Sequence, residues 1–370
     1  MTLNIPNKPS EIITPFPVSP NGPSKNALKV LGQILRKTTE ANEVYSVTFS
    51  EVLCPEGKNH LFSLKPYFWE VAPGKWERRD GKRNPYCDKP QGQKQLDTAA
   101  VQIHSLALGI IHLPEYRDAA IKRIQKLLTV FFIDSETKMN PEVGYAQCNP
   151  ASSPLKGENS FVIALRNIIL ISQALTLVQQ YLDKGLVSKL REWVSQQVKW
   201  MQESEQGKDV QRYEDNKIIW YHAIIASHLA FINPQESQKY ALNFFQTYGA
   251  SHTPQAYFEE DLKRTRPRHY TLFALEPLVV LAKLTASPNA QPESKAAGYA
   301  RNLLEFAKTV QPGQLEKPLE EGGRYEGQWQ WYEHIISGWT GQGKRGGDEP
   351  DGGAWEGGWT QRMRMLWGFF

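Results

Sequence analysis

Apolar residues recur three and four positions apart through most of this chain, and that spacing predicts helices rather than strands. Asn26 to Lys37 carries Leu28, Val30, Leu31, Ile34 and Leu35 on one face. After Leu96 the period becomes dominant. Asp97 opens a run containing Ala99, Ala100, Ile103, Leu106, Ala107, Ile110 and Ile111, and Tyr116 to Phe132 follows with Leu127, Leu128, Val130 and Phe131 turned inward. Six further stretches read the same way: Phe161–Leu182, Leu186–Met201, Ile218–Phe231, Glu236–Tyr248, Tyr270–Leu284 and Ser294–Val310. Most connections are short enough to make neighbours antiparallel. No fixed repeat period of the solenoid kind is present, so the hairpins form either an open superhelix or a toroid. Long loops on the same side of successive hairpins favour the toroid, with a cleft. The predicted fold class is all-α.

Between the periodic stretches the text changes character. Residues 1–25, rich in Pro, Ser and Asn, predict an extended or disordered arm. Val44 to Leu53 alternates loosely, and Cys54 to Gln95 mixes Gly, Pro, charge and aromatics with no period. A structureless loop of that size inside a compact protein is uncommon unless it is functional. A second break spans Asp134 to Ser160. Residues 26–312 therefore make one helical domain. The remaining 313–370 form a Gly- and Trp-rich tail, whose apolar end at Met363, Met365, Leu366, Trp367, Phe369 and Phe370 is expected to dock on that domain.

Composition narrows the classes of function. A length of 370 residues suits two average domains or one large helical one. The net charge of +4 is mild, which argues against a nucleic-acid partner. No apolar run approaches a membrane span. Met1 to Pro6 lacks the pattern of a secretory signal, so the chain is expected to be cytoplasmic or a secreted protein with its leader removed. Cys54, Cys87 and Cys148 show no CxxC pairing and no His at a ligand spacing. No zinc site, disulfide framework, metal or cofactor is expected, and the protein is expected to be a monomer. Aromatics make up 11% of residues, with many beside Lys or Arg. Such rings stack on sugars or line a cleft, and a core that uses Trp liberally accounts for them equally well.

Chemistry concentrates in the seven residues Arg264-Thr265-Arg266-Pro267-Arg268-His269-Tyr270. Three permanent cations, an imidazole and a phenol meet at a proline that must break or start an element. An anionic substrate is the natural inference, with proton transfer by Tyr270 or His269. Three other loop segments share the same palette: Lys65 to Trp69 with Arg78 to Asn84, Lys138 to Gln147, and Asp215 to Lys217 ahead of Trp220. Each has a plain structural reading as well. Asp80-Gly81 is an ordinary turn signal, and Asp215-Asn216 a helix N-cap.

Taken in order, these segments resemble the alginate lyase superfamily of polysaccharide lyases. The motifs are Lys65-Pro66-Tyr67-Phe68-Trp69, then Arg79-Asp80-Gly81 with Asn84-Pro85, then Phe131-Phe132 through Asp134, Thr137, Met139-Asn140-Pro141 and Tyr145-Ala146-Gln147. Asn216 with Trp220, and Leu262, Arg264-Thr265 and His269-Tyr270, complete the order. The resemblance runs from about Leu64 to Leu284. It implies an incomplete (α/α) toroid and β-elimination at a uronic acid in alginate or a related polyuronate. In that reaction neutralising the C6 carboxylate acidifies the C5 proton, a base removes it, and an acid protonates the leaving oxygen at C4. The resemblance assigns Asn216 and Arg264 to the carboxylate and Tyr270 to proton transfer. Lys65 and Arg79 match the basic residues of an entrance loop lined by Tyr67 and Trp69. Tyr145, Gln147, Arg166, Trp220 and His269 complete the candidates for substrate contact.

One position departs from the pattern. Family members usually carry His directly after the Asn, and here Lys217 stands there. Lysine neutralises a carboxylate but is a poor base at neutral pH unless desolvation lowers its pKa by several units. Either Tyr270 makes both transfers with Lys217 as neutraliser, or His269 or His222 substitutes, or elimination has been lost. The last case leaves a toroid acting on a carboxylated small molecule as a cyclase, isomerase or dehydratase, or a non-catalytic binder of acidic sugars.

Overall fold

The structure, a computed structural model, describes residues 23, 25–89, 91–213, 215–248, 258–286 and 294–315, together with 332, 333, 335 and 336. Among these the apolar period resolves into twelve α-helices and one two-stranded hairpin. In chain order the helices are α1 (Lys25–Glu40), α2 (Gly92–His112), α3 (Arg117–Phe132), α4 (Phe161–Leu165), α5 (Ile168–Val178), α6 (Lys184–Glu203), α7 (Glu205–Val210), α8 (Asn216–Ile232), α9 (Pro234–Thr247), α10 (Glu259–Leu262), α11 (Pro267–Leu284) and α12 (Ser294–Thr309).

Burial sorts the long helices into two layers. All eleven residues of α5 are buried, as are sixteen of the eighteen in α11, whereas α6 buries seven of twenty. A helix apolar on all sides must be surrounded, and one with a single apolar stripe faces water. Thus α2, α5, α8 and α11 form an inner layer, each packed on the next. The outer helices α3, α6, α9 and α12 follow them in the chain, so that α2–α3, α5–α6, α8–α9 and α11–α12 are four successive hairpins. This is an incomplete (α/α) toroid, all-α as the spacing predicts. Because an outer helix returns the chain each time, the four inner helices run parallel and begin at one face.

Local departures from the predicted elements have identifiable causes. The stretch 161–182 is broken at Arg166-Asn167, where the Asn167 amide donates to the Asp97 carboxylate of α2 at 2.5 Å. Helix α8 begins two residues early because the Asp215 carboxylate caps it, accepting from Lys217 N at 2.8 Å. Helix α11 begins at Pro267, whose fixed φ suits the first helical position. The short helices α7 and α10 carry too little period to be read in advance. Within the aperiodic stretch 54–95 lies an antiparallel hairpin, β1 (Phe68–Ala72) and β2 (Lys75–Arg78), turning at Gly74 with φ +72°. Most of the arm and of the tail lies outside the described residues. Of the tail, Tyr332, Ile335 and Ile336 are buried, and the Tyr332 hydroxyl donates to Leu272 O at 3.4 Å.

Candidate functional site

The first turns of α8 and α11 are neighbours, and the turn from α10 into α11 lies between them. Asn216 and Lys217 stand on α8, Asp261 on α10, Arg264 and Thr265 in the turn, and Tyr270 on α11. Helix N-termini favour negative charge through their unsatisfied N–H groups.

Arg264 is the hub. Its Nε and Nη2 donate to Asp80 Oδ1 at 3.2 and 2.8 Å, its Nη1 lies 3.7 Å from Asp261 Oδ1, and its Nη2 donates to the Tyr270 hydroxyl at 2.5 Å. The guanidinium carbon also sits 3.4 Å from the centre of the Tyr270 ring. Tyr270 donates in turn to the Tyr67 hydroxyl at 3.1 Å. A cation, a phenol and a second phenol therefore form one directed chain of hydrogen bonds.

Asp80 brings the hairpin to this hub. Its Oδ2 accepts from Thr265 N at 3.1 Å and from Thr265 Oγ1 at 2.9 Å. Burial pushes its carboxyl up, but hydrogen bonds and charge from Arg264, with the two Thr265 donors, outweigh that and hold it down at about 2. Gly81 allows the close approach. Its φ is +70°, and a Cβ there would lie 2.4 Å from Thr265 Oγ1.

Asn216 is buried, and its side chain is committed to Asp261. Nδ2 lies 3.1 and 2.9 Å from the two Asp261 oxygens, and the Asn216 backbone N donates to Oδ2 at 3.1 Å. Burial raises the Asp261 carboxyl above its ordinary value, the Asn216 side-chain bond and Arg264 pull it back, and the charge of Asp215 adds to the rise. Lys217 turns to Asp215, with Nζ 2.5 Å from Oδ2 and 5.3 Å from the Tyr213 ring centre. For Tyr270, burial and then Tyr67 raise the phenol above its ordinary value, with the Arg264 cation opposing them. The phenol is neutral at pH 7.

The remaining candidates lie on the surrounding loops and, for Trp220 and His269, on α8 and α11 themselves. Lys65 forms an ion pair with Glu158. Arg79 pairs with Glu77 at 2.9 Å and lies over the Trp69 ring at 5.3 Å, while Trp69 Nε1 donates to Lys82 O at 3.0 Å. Gln147, in a left-handed conformation with φ 55°, donates from Nε2 to Gln93 Oε1 at 2.9 Å, at the start of α2. Tyr145 packs edge-on to His60 at 5.0 Å. Arg166, at the start of α5, donates to Ile163 O. His269 lies edge-on to Tyr270 at 5.2 Å and stacks on Phe273, which in turn leans on Trp220 at 5.1 Å. His269 and Phe273 are the two residues of α11 that are not buried. Trp220 is 1% exposed, and its Nε1 has no hydrogen-bond partner among the described residues.

His222 stands elsewhere. It faces the outer helix α9, its Nδ1 bonded to the Tyr240 hydroxyl at 2.8 Å among Phe244 and Tyr248, and burial lowers its pKa to about 3. Asp80, Asp261 and Thr265 join the candidate site without being predicted from the sequence as participants. Asp80 lies in the Arg79-Asp80-Gly81 motif, where Asp-Gly is also an ordinary turn signal, and Asp261 carries no signal beyond its acidic neighbours. Electrostatically, three carboxylates (Asp80, Asp215, Asp261) face three cations: Arg264, Lys217, and Arg78, whose Nη2 lies 3.2 Å from Asp80 Oδ1. The surplus of positive charge lies in the adjoining loop, where residues 65–94 hold eight Lys or Arg against four Asp or Glu, matching the net +4 of the whole chain. Among the described residues no group of three His, Cys, Asp or Glu side chains is arranged to hold a metal ion. No single described helix is long and apolar enough to cross a membrane.

Residues 48–315 match the protein family described as alginate lyase. Among solved structures, the crystal structure of an alginate lyase from Bacteroides ovatus superposes with a TM-score of 0.72 at 21% sequence identity, covering 94% of each chain. At that identity the superposition speaks for the fold. No curated protein sequence matches.

Proposed function

This chain belongs to the alginate lyase family, and we propose on that premise that it is a polysaccharide lyase that cleaves a uronic-acid polymer by β-elimination at Asn216, Arg264 and Tyr270. The observation that carries the reading is the 2.5 Å bond from Arg264 Nη2 to the Tyr270 hydroxyl, beside Asn216 at the starts of two parallel inner helices. A carboxylate-binding cation and a proton-transferring phenol must act on adjacent atoms, C6 and C5, and here they touch.

In this reading Arg264 neutralises the C6 carboxylate, which acidifies the proton at C5. The base takes that proton, the C4=C5 double bond forms, and the C4–O4 bond breaks with its electron pair going to the leaving oxygen, which is then protonated. Lys217 is committed to Asp215 and His222 to the α8–α9 interface; of the two remaining candidates, His269 and Tyr270, it is the Tyr270 hydroxyl that touches the Arg264 guanidinium, which makes Tyr270 the group best set for proton transfer. A neutral phenol is ready to act as the acid. To act as base it must ionise, and the Arg264 cation against its oxygen lowers the cost of doing so. The basic loop 65–94 supplies attraction for a polyanion.

One phenol can perform both transfers only where H5 and O4 lie on the same face of the sugar ring. That holds in mannuronate and glucuronate and fails in guluronate, the C5 epimer of mannuronate. The test is the near-ultraviolet absorbance of the 4,5-unsaturated product on polymannuronate, glucuronan and polyguluronate. Absorbance should rise on one or both of the first two, and no rise on any of the three with protein in excess would overturn the reading.

A further inference from the structure

We propose that Asp261 is the positioning residue of this site, the group that sets the direction of the Asn216 amide and braces one side of the Arg264 guanidinium. The proposal rests on the lyase reading above for its kinetic consequences, though not for its geometry.

Asp261 is 2% exposed, and a buried carboxylate persists only when hydrogen bonds or cations satisfy it. Here three donor contacts come from one residue, Asn216, through its backbone N at 3.1 Å and its Nδ2 at 2.9 and 3.1 Å, and Arg264 Nη1 stands 3.7 Å away. An ionised carboxylate accepts and cannot donate. The Asn216 amide must therefore turn its nitrogen to Asp261, and its oxygen is directed away. Rotating the amide would set its oxygen against two carboxylate oxygens. The same carboxylate takes the N–H of the first residue of α8, so the side chain and the helix end are oriented by one group.

Two consequences follow for the reaction. The Asn216 amide presents chiefly its oxygen to a substrate, suited to accept from a sugar hydroxyl, and the charge that neutralises the uronate carboxylate is left to Arg264. Arg264 in turn lies between Asp261 on one side and Asp80 on the other, which fixes the guanidinium plane while Nη2 reaches Tyr270. Asp261 touches neither the sugar nor the moving proton in this scheme. It acts through Asn216 and Arg264.

The test uses the full chain and the isosteric variant Asp261→Asn, with Asn216→Ala and the double variant, assayed on whichever polymer the wild-type protein cleaves. Asp261→Asn should lower kcat at least about 30-fold with KM within about 3-fold, because orientation is lost while binding charge is kept. The double variant should be no more than about 3-fold below the worse single one, since both substitutions break the same contact. In parallel, the side-chain amide signal of Asn216 in a ¹⁵N spectrum, assigned by its loss in Asn216→Ala, should be protected from exchange in the wild-type protein and lose that protection in Asp261→Asn. A kcat within 3-fold of wild type, losses that multiply in the double variant, or an unprotected Asn216 amide in the wild-type protein would each overturn the proposal. The wild-type amide measurement needs no variant at Asp261 and no turnover. Failure of the wild-type protein to cleave any polymer would overturn the lyase reading alone, and the amide signal would still decide the orientation.

Discussion

Tyr270 donates its hydroxyl hydrogen to the hydroxyl of Tyr67 at 3.1 Å, across 203 positions of sequence. Tyr67 arrives on the loop that leads into the hairpin, Tyr270 on the first turn of an inner helix, and Arg264 stands beside both rings, its guanidinium carbon 5.8 Å from the centre of the Tyr67 ring and 3.4 Å from that of Tyr270.

Replacing Tyr270 with Phe removes the hydroxyl and leaves the ring packed on Arg264. Elimination should fall by about 10²–10⁴-fold, the usual range for a positioned acid or base. Tyr67→Phe removes only the acceptor of the Tyr270 hydrogen bond and should cost about 10-fold in kcat, equivalent to about 1.4 kcal/mol. Initial rates of product absorbance measure both. Equal losses at the two positions would place Tyr67 in the chemistry itself.

Lys217 is tied to Asp215, so its charge is already answered within the protein. Lys217→Met should lower kcat/KM by less than about 10-fold, far less than Tyr270→Phe. A loss as deep as that of Tyr270→Phe would show that the ammonium, and not the phenol, carries the proton.

Asp80 links the hairpin to Arg264 and Thr265, and Asp80→Asn should destabilise the protein by on the order of 2 kcal/mol at pH 7. Its folded pKa of about 2 is below the ordinary carboxylate value, so its ionised form favours the folded state. That contribution is complete above about pH 4.5 and is lost as pH falls through about 4 toward 2. Urea unfolding of wild type and Asp80→Asn should therefore differ by a constant amount from pH 7 to 5 and converge below that. A difference that persists undiminished at pH 3 would count against the carboxylate.

Four histidines, three of them buried and His112 half-buried, act in the opposite sense to a salt-bridged one. Burial lowers His104 and His112 to about 4 and His222 and His228 to about 3, below the ordinary value of 6.5. The unfolded chain therefore takes up protons first. Stability should be flat above about pH 7 and fall as pH drops through 6.5, continuing toward about 3, with a slope of up to about four protons. Urea midpoints from pH 8 to 5 measure this, and an unchanged midpoint between pH 7 and 5 would contradict it.

The helices were legible because each needs an apolar stripe of fixed period, and the inner ones announced themselves by being apolar on several sides at once. Asn216, Arg264 and Tyr270 were legible as candidates through their motifs. The hairpin was not, since β1 and β2 are short and largely exposed, with no buried face to impose alternation. Asp261 was not, because its meaning depends on Asn216, 45 positions away.

The all-α hairpin array, the approximate ends of most of its helices, and the residue types available for anion binding and proton transfer are all readable in the chain before it folds. These follow from local rules of spacing and capping, which act within a few residues. Which partners each cation takes emerges only when the chain is folded. Lys217 falls to Asp215 and Arg79 to Glu77, while Arg264 is braced by Asp80 and Asp261 and still reaches Tyr270. The physical reason is that a charge acquires its role from the partners that desolvate and hydrogen-bond it, and those partners come from 184 positions away as readily as from three.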